Sequence, residues 1–174
     1  MDDFDETKRE MIALLPRLRA FARALTRDAS RADDLVQQVC EKALRNLDKF
    51  EAGSRLDAWL FRIMRNSWID DRRAPRHLEL AIDISETELP DISGSNVVLD
   101  KLELTAVAKA MAALDQSQRE VLMLVGVEGL RYKEAAEVLD LPIGTVMSRL
   151  ARARRALMAM IRPEIVQPHK EHKA

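Results

Sequence analysis

The sequence predicts an all-α protein: two small helical domains joined by a flexible acidic linker. Three observations carry this. Apolar residues recur every three or four positions through most of the chain, which is helical periodicity. Glycine is scarce, 5 in 174 residues, and aromatics are 4%, which counts against an all-β fold. Arg76 to Asn96 has no sustained period, holds Pro90 and Ser93-Gly94-Ser95, and separates two periodic blocks. The division expected is 1–76, a linker 77–97, 98–163 and a disordered tail 164–174.

The first helix is expected from about Thr7 to Thr26, with Met11, Leu14, Leu18, Phe21 and Leu25 inward. Pro16 bends it or marks a restart. Ser30 reads as an N-cap, with Asp33 three residues on. The second helix then runs to Leu47, with Leu35, Val36, Val39 and Ala43 inward. Asp48 to Ser54 is a loop containing Gly53. The third helix, Leu56 to Arg73, lines up Leu56, Trp59, Leu60, Ile63, Met64 and Ser67, and Pro75 stops it. That alignment assigns Trp59 to the core. The second block begins near Val97 and reaches Leu114. Asp115 opens a helix through Val125, broken at Gly126–Gly129. A short helix, Tyr132 to Leu139, a tight turn, Asp140-Leu141-Pro142, and a last helix, Ile143 to Ile161, complete it.

No apolar run approaches the ~20 residues that span a membrane, so no membrane insertion is expected. The acidic start, Met-Asp-Asp-Phe-Asp-Glu, has no secretory h-region. A cytoplasmic location follows, and single Cys40 suits it, as a buried packing residue. The net charge is −1, but its distribution is uneven. Leu78 to Leu104 holds seven acids against Lys101 alone, whereas Leu141 to Arg162 holds five arginines and no acid. Arg62 to His77 is a second basic zone. Catalysis has no support: His77, His169 and His172 fall in the linker and tail, and there is no metal-ligand spacing, phosphate loop or nucleophile elbow. No cofactor is expected.

Tyr132 to Arg155 reads as a helix-turn-helix: YKEAAEVLDLPIGTVMSRLARARR. Ala135, Ala136, Val138 and Leu139 can face Val146 and Leu150 across the turn. Gly144 or Thr145 can leave a backbone amide for a phosphate. Ser148, Arg149, Arg152 and Arg155 form an outward stripe that fits the major groove, where arginine bridges guanine O6 and N7. The bland alternative is a solvated basic face.

This unit, with Leu114-Asp115-Gln116-Ser117-Gln118-Arg119-Glu120-Val121 before it, resembles domain four of extracytoplasmic-function sigma factors of the sigma-70 family. The resemblance implies that the last helix reads the minus-thirty-five promoter element, through Thr145, Ser148, Arg149, Arg152, Arg154 and Arg155. Met147 stands where many members carry Arg. Asp33-Asp34-Leu35-Val36-Gln37-Gln38-Val39-Cys40 resembles the family's domain-two D-L-V-Q-E-T-F segment. It implies docking on the β′ clamp of core RNA polymerase through Asp34, Gln37 and Gln38, with domain four meeting the β flap. Trp59-Leu60-Phe61-Arg62-Ile63-Met64-Arg65-Asn66 resembles the W-L-x-R-I-x-x-N segment that opens the minus-ten element. Asn66 then contacts a base, the loop Phe50 to Arg55 captures a flipped base, and Arg62, Arg65, Arg72 and Arg73 hold phosphates. Family membership also implies two weakly coupled domains and sequestration by an anti-sigma factor in a stress response. A sigma mimic that binds only the anti-sigma factor would lack the arginine stripe, which this chain keeps. A ligand- or phosphate-controlled activator would need an N-terminal receiver or ligand domain, and no such pattern is present.

Overall fold

A computed structural model describes residues 2–51, 53–73 and 98–162, with side chains for 5–51, 53–73 and 106–162. The linker, the tail and all three histidines lie outside the described residues. Seven α-helices are described: α1 (Asp2–Thr26), α2 (Ala29–Arg45), α3 (Leu56–Arg73), α4 (Val98–Ala113), α5 (Gln116–Val121), α6 (Tyr132–Leu139) and α7 (Ile143–Ile161).

α1 does not restart at Pro16; it runs through it. Proline there deprives the Ile12 carbonyl of its helical donor. Pro16 and Ile12 both face solvent, where water can replace that bond. The N-cap of α2 is Asp28, not Ser30: its carboxylate accepts from the Arg31 amide at 2.7 Å. The expected break at Gly126 is also displaced. After α5 the chain widens into one π-helical stretch, Leu122–Val127, and turns at Gly129 (φ 69°). Gly126 fits inside that stretch because a Cβ there would sit 3.3 Å from the Leu122 side chain. A 3₁₀ turn, Leu47–Lys49, and a loop turning at Gly53 (φ 85°) lead into α3.

In the first block, α1, α2 and α3 bury Leu18, Phe21, Val39, Leu60, Phe61 and Met64 between them. The Phe21 and Phe61 rings meet edge-to-face at 5.1 Å, a favoured aromatic geometry. In the second block, α5, α6 and α7 bury Val121, Leu124, Val138, Leu139, Val146 and Leu150. The two blocks differ from the expectation of loose coupling. Their buried residues form one contiguous core, with α6 packed on α3 and α5 on α1.

Polar side chains cross the same boundary. Arg17 donates to Glu128 (2.6 Å) and to Asp57 (2.9 Å), and its guanidinium lies 5.8 Å from the centre of the Phe61 ring. Arg55 forks onto Asp57 (2.7 and 3.0 Å) and reaches Glu134 at 3.0 Å. Burial pushes the Asp57 carboxyl up, but donation from Arg55, Arg17 and the Ala58 amide wins and holds it below its ordinary value.

Candidate nucleic-acid interface

The α6–α7 unit is built around its turn. Asp140 takes the left-handed conformation (φ 49°), which Asp tolerates better than most residues. The Leu141 amide then donates back to the Ala136 carbonyl at 3.0 Å. Pro142 sets the start of α7, and Val146, Leu150 and Ala153 are buried on its inner face. Ser148, Arg152 and Arg155 are exposed on the opposite face; Thr145 and Arg149 are half-buried beside them. Arg152 makes a long bond, 3.4 Å, to the Ser148 carbonyl of its own helix, and its charge also helps hold the Asp115 carboxyl below its ordinary value. Arg154 is exposed but lies roughly 200° round the helix from Arg152. It shares a flank with Met147, which is half exposed. The Thr145 amide donates to the Pro142 carbonyl at 2.9 Å, so of the two amides expected for a phosphate, Thr145's is already taken. The outer face of α7 is thus a row of cations on an uncovered helix, of a width that the major groove admits.

The second site lies between α2 and α3. A groove of about 450 Å³ is lined by Lys42, Asn46, Lys49, Trp59, Ile63, Asn66 and Ser67. Lys42 donates to the Ser67 hydroxyl at 2.8 Å, and Lys49 to the Asn46 side-chain carbonyl at 2.6 Å. Trp59 was expected in the core. It packs against the core only from its edge, half-buried in the groove wall with its ring 5.3 Å from that of Phe50. Period-3.6 alignment gives the side of α3 that meets the core, but Leu60 and Met64, its neighbours on the helix, are the residues that reach the centre. Two ammonium groups, two side-chain amides and an aromatic face can hold a base and its phosphate. Lys42 and Lys49 were not singled out in the sequence, since they lie on another helix and turn.

Helical spacing divides the other α3 candidates. Arg62 and Arg73 share the exposed side with Asn66. Arg65 and Arg72 turn toward the second block. Arg65 is paired with Glu120 at 3.4 Å, and Arg72 donates to the Gln116 side-chain carbonyl at 2.6 Å. Arg72 and Arg31 flank buried Trp68, 5.7 and 5.6 Å from its ring centre.

Asp34, Gln37 and Gln38 are all exposed on α2, with Gln37 donating to Glu41 at 3.3 Å. Cys40 on the same helix is half-buried, and burial pushes its thiol up against the pull of Arg19. Among the described residues no three His, Cys, Asp or Glu side chains gather as metal ligands, and no helix is long and apolar enough to cross a membrane.

Two family models match in chain order: Sigma-70 region 2 over residues 11–77 and Sigma-70, region 4 over 104–157. An ECF RNA polymerase sigma factor EcfG of Rhodopseudomonas palustris (strain TIE-1) is 41% identical over 158 residues, 90% of this chain and 86% of that protein. The sigma factor RpoE of Bartonella quintana, solved with the anti-sigma factor NepR, superposes with a TM-score of 0.74 at 34% identity, over 91% of this chain and 98% of that one. CnrH, solved with the cytosolic domain of CnrY, gives 0.64 at 28% identity, over 94% and 92%. With an uncovered cationic helix in the segment matching region 4 and a base-sized groove in the segment matching region 2, the chain belongs to the extracytoplasmic-function sigma factors of the sigma-70 family, which are transcription initiation factors and not enzymes.

Proposed function

We propose that the chain binds core RNA polymerase and carries it to promoters through two separate readouts. Region two, residues 1–76, docks on the β′ clamp through Asp34, Gln37 and Gln38. It opens the minus-ten element at the α2–α3 groove, where Asn66 meets a base and Arg62, Arg65, Arg72 and Arg73 hold phosphates. Region four, residues 98–163, meets the β flap and reads the minus-thirty-five major groove with Thr145, Ser148, Arg149, Arg152, Arg154 and Arg155. The observation that supports this best is Asn66 standing in a groove with Lys42, Lys49 and Trp59. Lys42 and Lys49 also hold Ser67 and Asn46, and they bring two positive charges to the groove beside Trp59, where a base and its phosphate can use them. An anti-sigma factor is the expected inhibitor, since a relative of this chain was solved in complex with one.

The test is an open complex formed by this chain, core polymerase and a promoter fragment. Permanganate should find unpaired thymines at minus ten, and Asn66→Ala should weaken them while the minus-thirty-five footprint stays. Equal reactivity in both proteins would remove the groove from the reading.

A further inference from the structure

The boundary between the two blocks pairs two arginines that the reading above assigns to DNA, Arg65 and Arg72, and two that lie beside the loop before α3, Arg55 and Arg17. Arg65 meets Glu120, and Arg72 meets Gln116, which in turn donates to Glu120 at 2.8 Å. Arg55, last residue of the loop leading into α3, meets Glu134. Arg17, beside that loop's anchor Asp57, meets Glu128. The acids are not idle surface charges: the Glu128, Glu120 and Glu134 side chains are 4%, 10% and 12% exposed. A carboxylate against a guanidinium offers the same charge-assisted acceptors as a phosphate. α7, by contrast, keeps Arg152, Arg154 and Arg155 exposed.

We propose that region four acts as an internal DNA mimic: Glu120 occupies Arg65, and Glu134 shares Arg55 with Asp57, in place of minus-ten phosphates, so that the closed chain and minus-ten binding exclude each other. This rests on the assignment of α3 and its preceding loop to the minus-ten strand. Removing the acids favours the open chain and so tightens minus-ten binding, and minus-ten DNA in turn favours the open chain, since closing and DNA binding are coupled reciprocally. The minus-thirty-five helix stays readable in either state. Rising salt also loosens the closed state, because its cross-block pairs are only partly shielded.

The test uses the full chain with Cys40→Ala and spin labels at the exposed positions Ala20 on α1 and Ala151 on α7. Distances between labels are read with and without a minus-ten single-stranded oligonucleotide, and its affinity is measured by anisotropy. The wild-type distances should be short and lengthen on adding the oligonucleotide. Glu120→Gln with Glu134→Gln should lengthen them unaided and tighten oligonucleotide binding about tenfold, the effect of two partly exposed pairs. Glu134→Gln alone is the milder variant if circular dichroism shows the double one unfolded. Unchanged distances in the variants would overturn the proposal, and so would opening without a gain in affinity. If the variants open but no protein binds the oligonucleotide, the minus-ten assignment has failed and the mimicry falls with it.

Discussion

Arg152→Ala is the sharpest perturbation of the recognition helix. Arg152 is exposed, with one long hydrogen bond of 3.4 Å to its own helix and a charge interaction with Asp115, so its loss leaves the apolar core untouched. Alanine, the best helix former, gives α7 a few tenths of a kcal/mol at most. If the guanidinium forks onto a guanine, the variant loses about 1–3 kcal/mol of discrimination, roughly 5- to 150-fold. If it holds a phosphate, all duplexes weaken alike and the salt slope falls by about one. Anisotropy of the polymerase-bound chain on a minus-thirty-five duplex and a scrambled one, from about 50 to 200 mM salt, separates the two. The expected result is a specificity ratio reduced at least about fivefold. Arg149→Ala, half-buried beside the stripe, should act in the same direction. An unchanged ratio in either variant would show that the α7 stripe is not in the groove as assigned.

Other outcomes follow from the same geometry. Phe61→Ala removes a fully buried ring packed edge-to-face on Phe21; denaturant titration should show a loss of about 3–5 kcal/mol. Asn66→Ala touches an exposed side chain, so stability should hold while minus-ten single-strand affinity falls about two- to tenfold, one neutral hydrogen bond. Asp57 has its carboxyl held below the ordinary value by Arg55 and Arg17 despite its burial. Its contribution is therefore present above the ordinary carboxylate range and is lost as pH falls below about 4. The thermal midpoint of the wild type should drop over that window, and Asp57→Asn should start lower and flatten the drop. A variant as steep as the wild type would take Asp57 out of the network.

What the sequence discloses, it discloses through period and local chemistry. The span of α3, the Asp140 turn and the inner face of α7 are short-range patterns, fixed by side-chain spacing and by a proline or a tolerant αL residue. Pro16 does not end the first helix because a proline's effect depends on whether the carbonyl it orphans can reach water, and Ile12 is exposed. Ser30 misleads because two cap-capable residues stand close together, and Asp28 lies where its carboxylate reaches the Arg31 amide. The groove is only half legible. Asn66 and Trp59 are visible on one helix, whereas Lys42 and Lys49 join them only once α2 packs on α3. The cross-block pairs are not legible at all: Arg17 and Glu128 are separated by 111 positions, and no periodicity links them.

The most direct test of the central claim is run-off transcription: this chain with core RNA polymerase on fragments of its own genome. Transcripts should come from discrete promoters that share two elements, at minus ten and minus thirty-five, and should weaken when either Asn66 or Arg152 is replaced by alanine. Transcription from no fragment, with the chain free of other proteins, would contradict it.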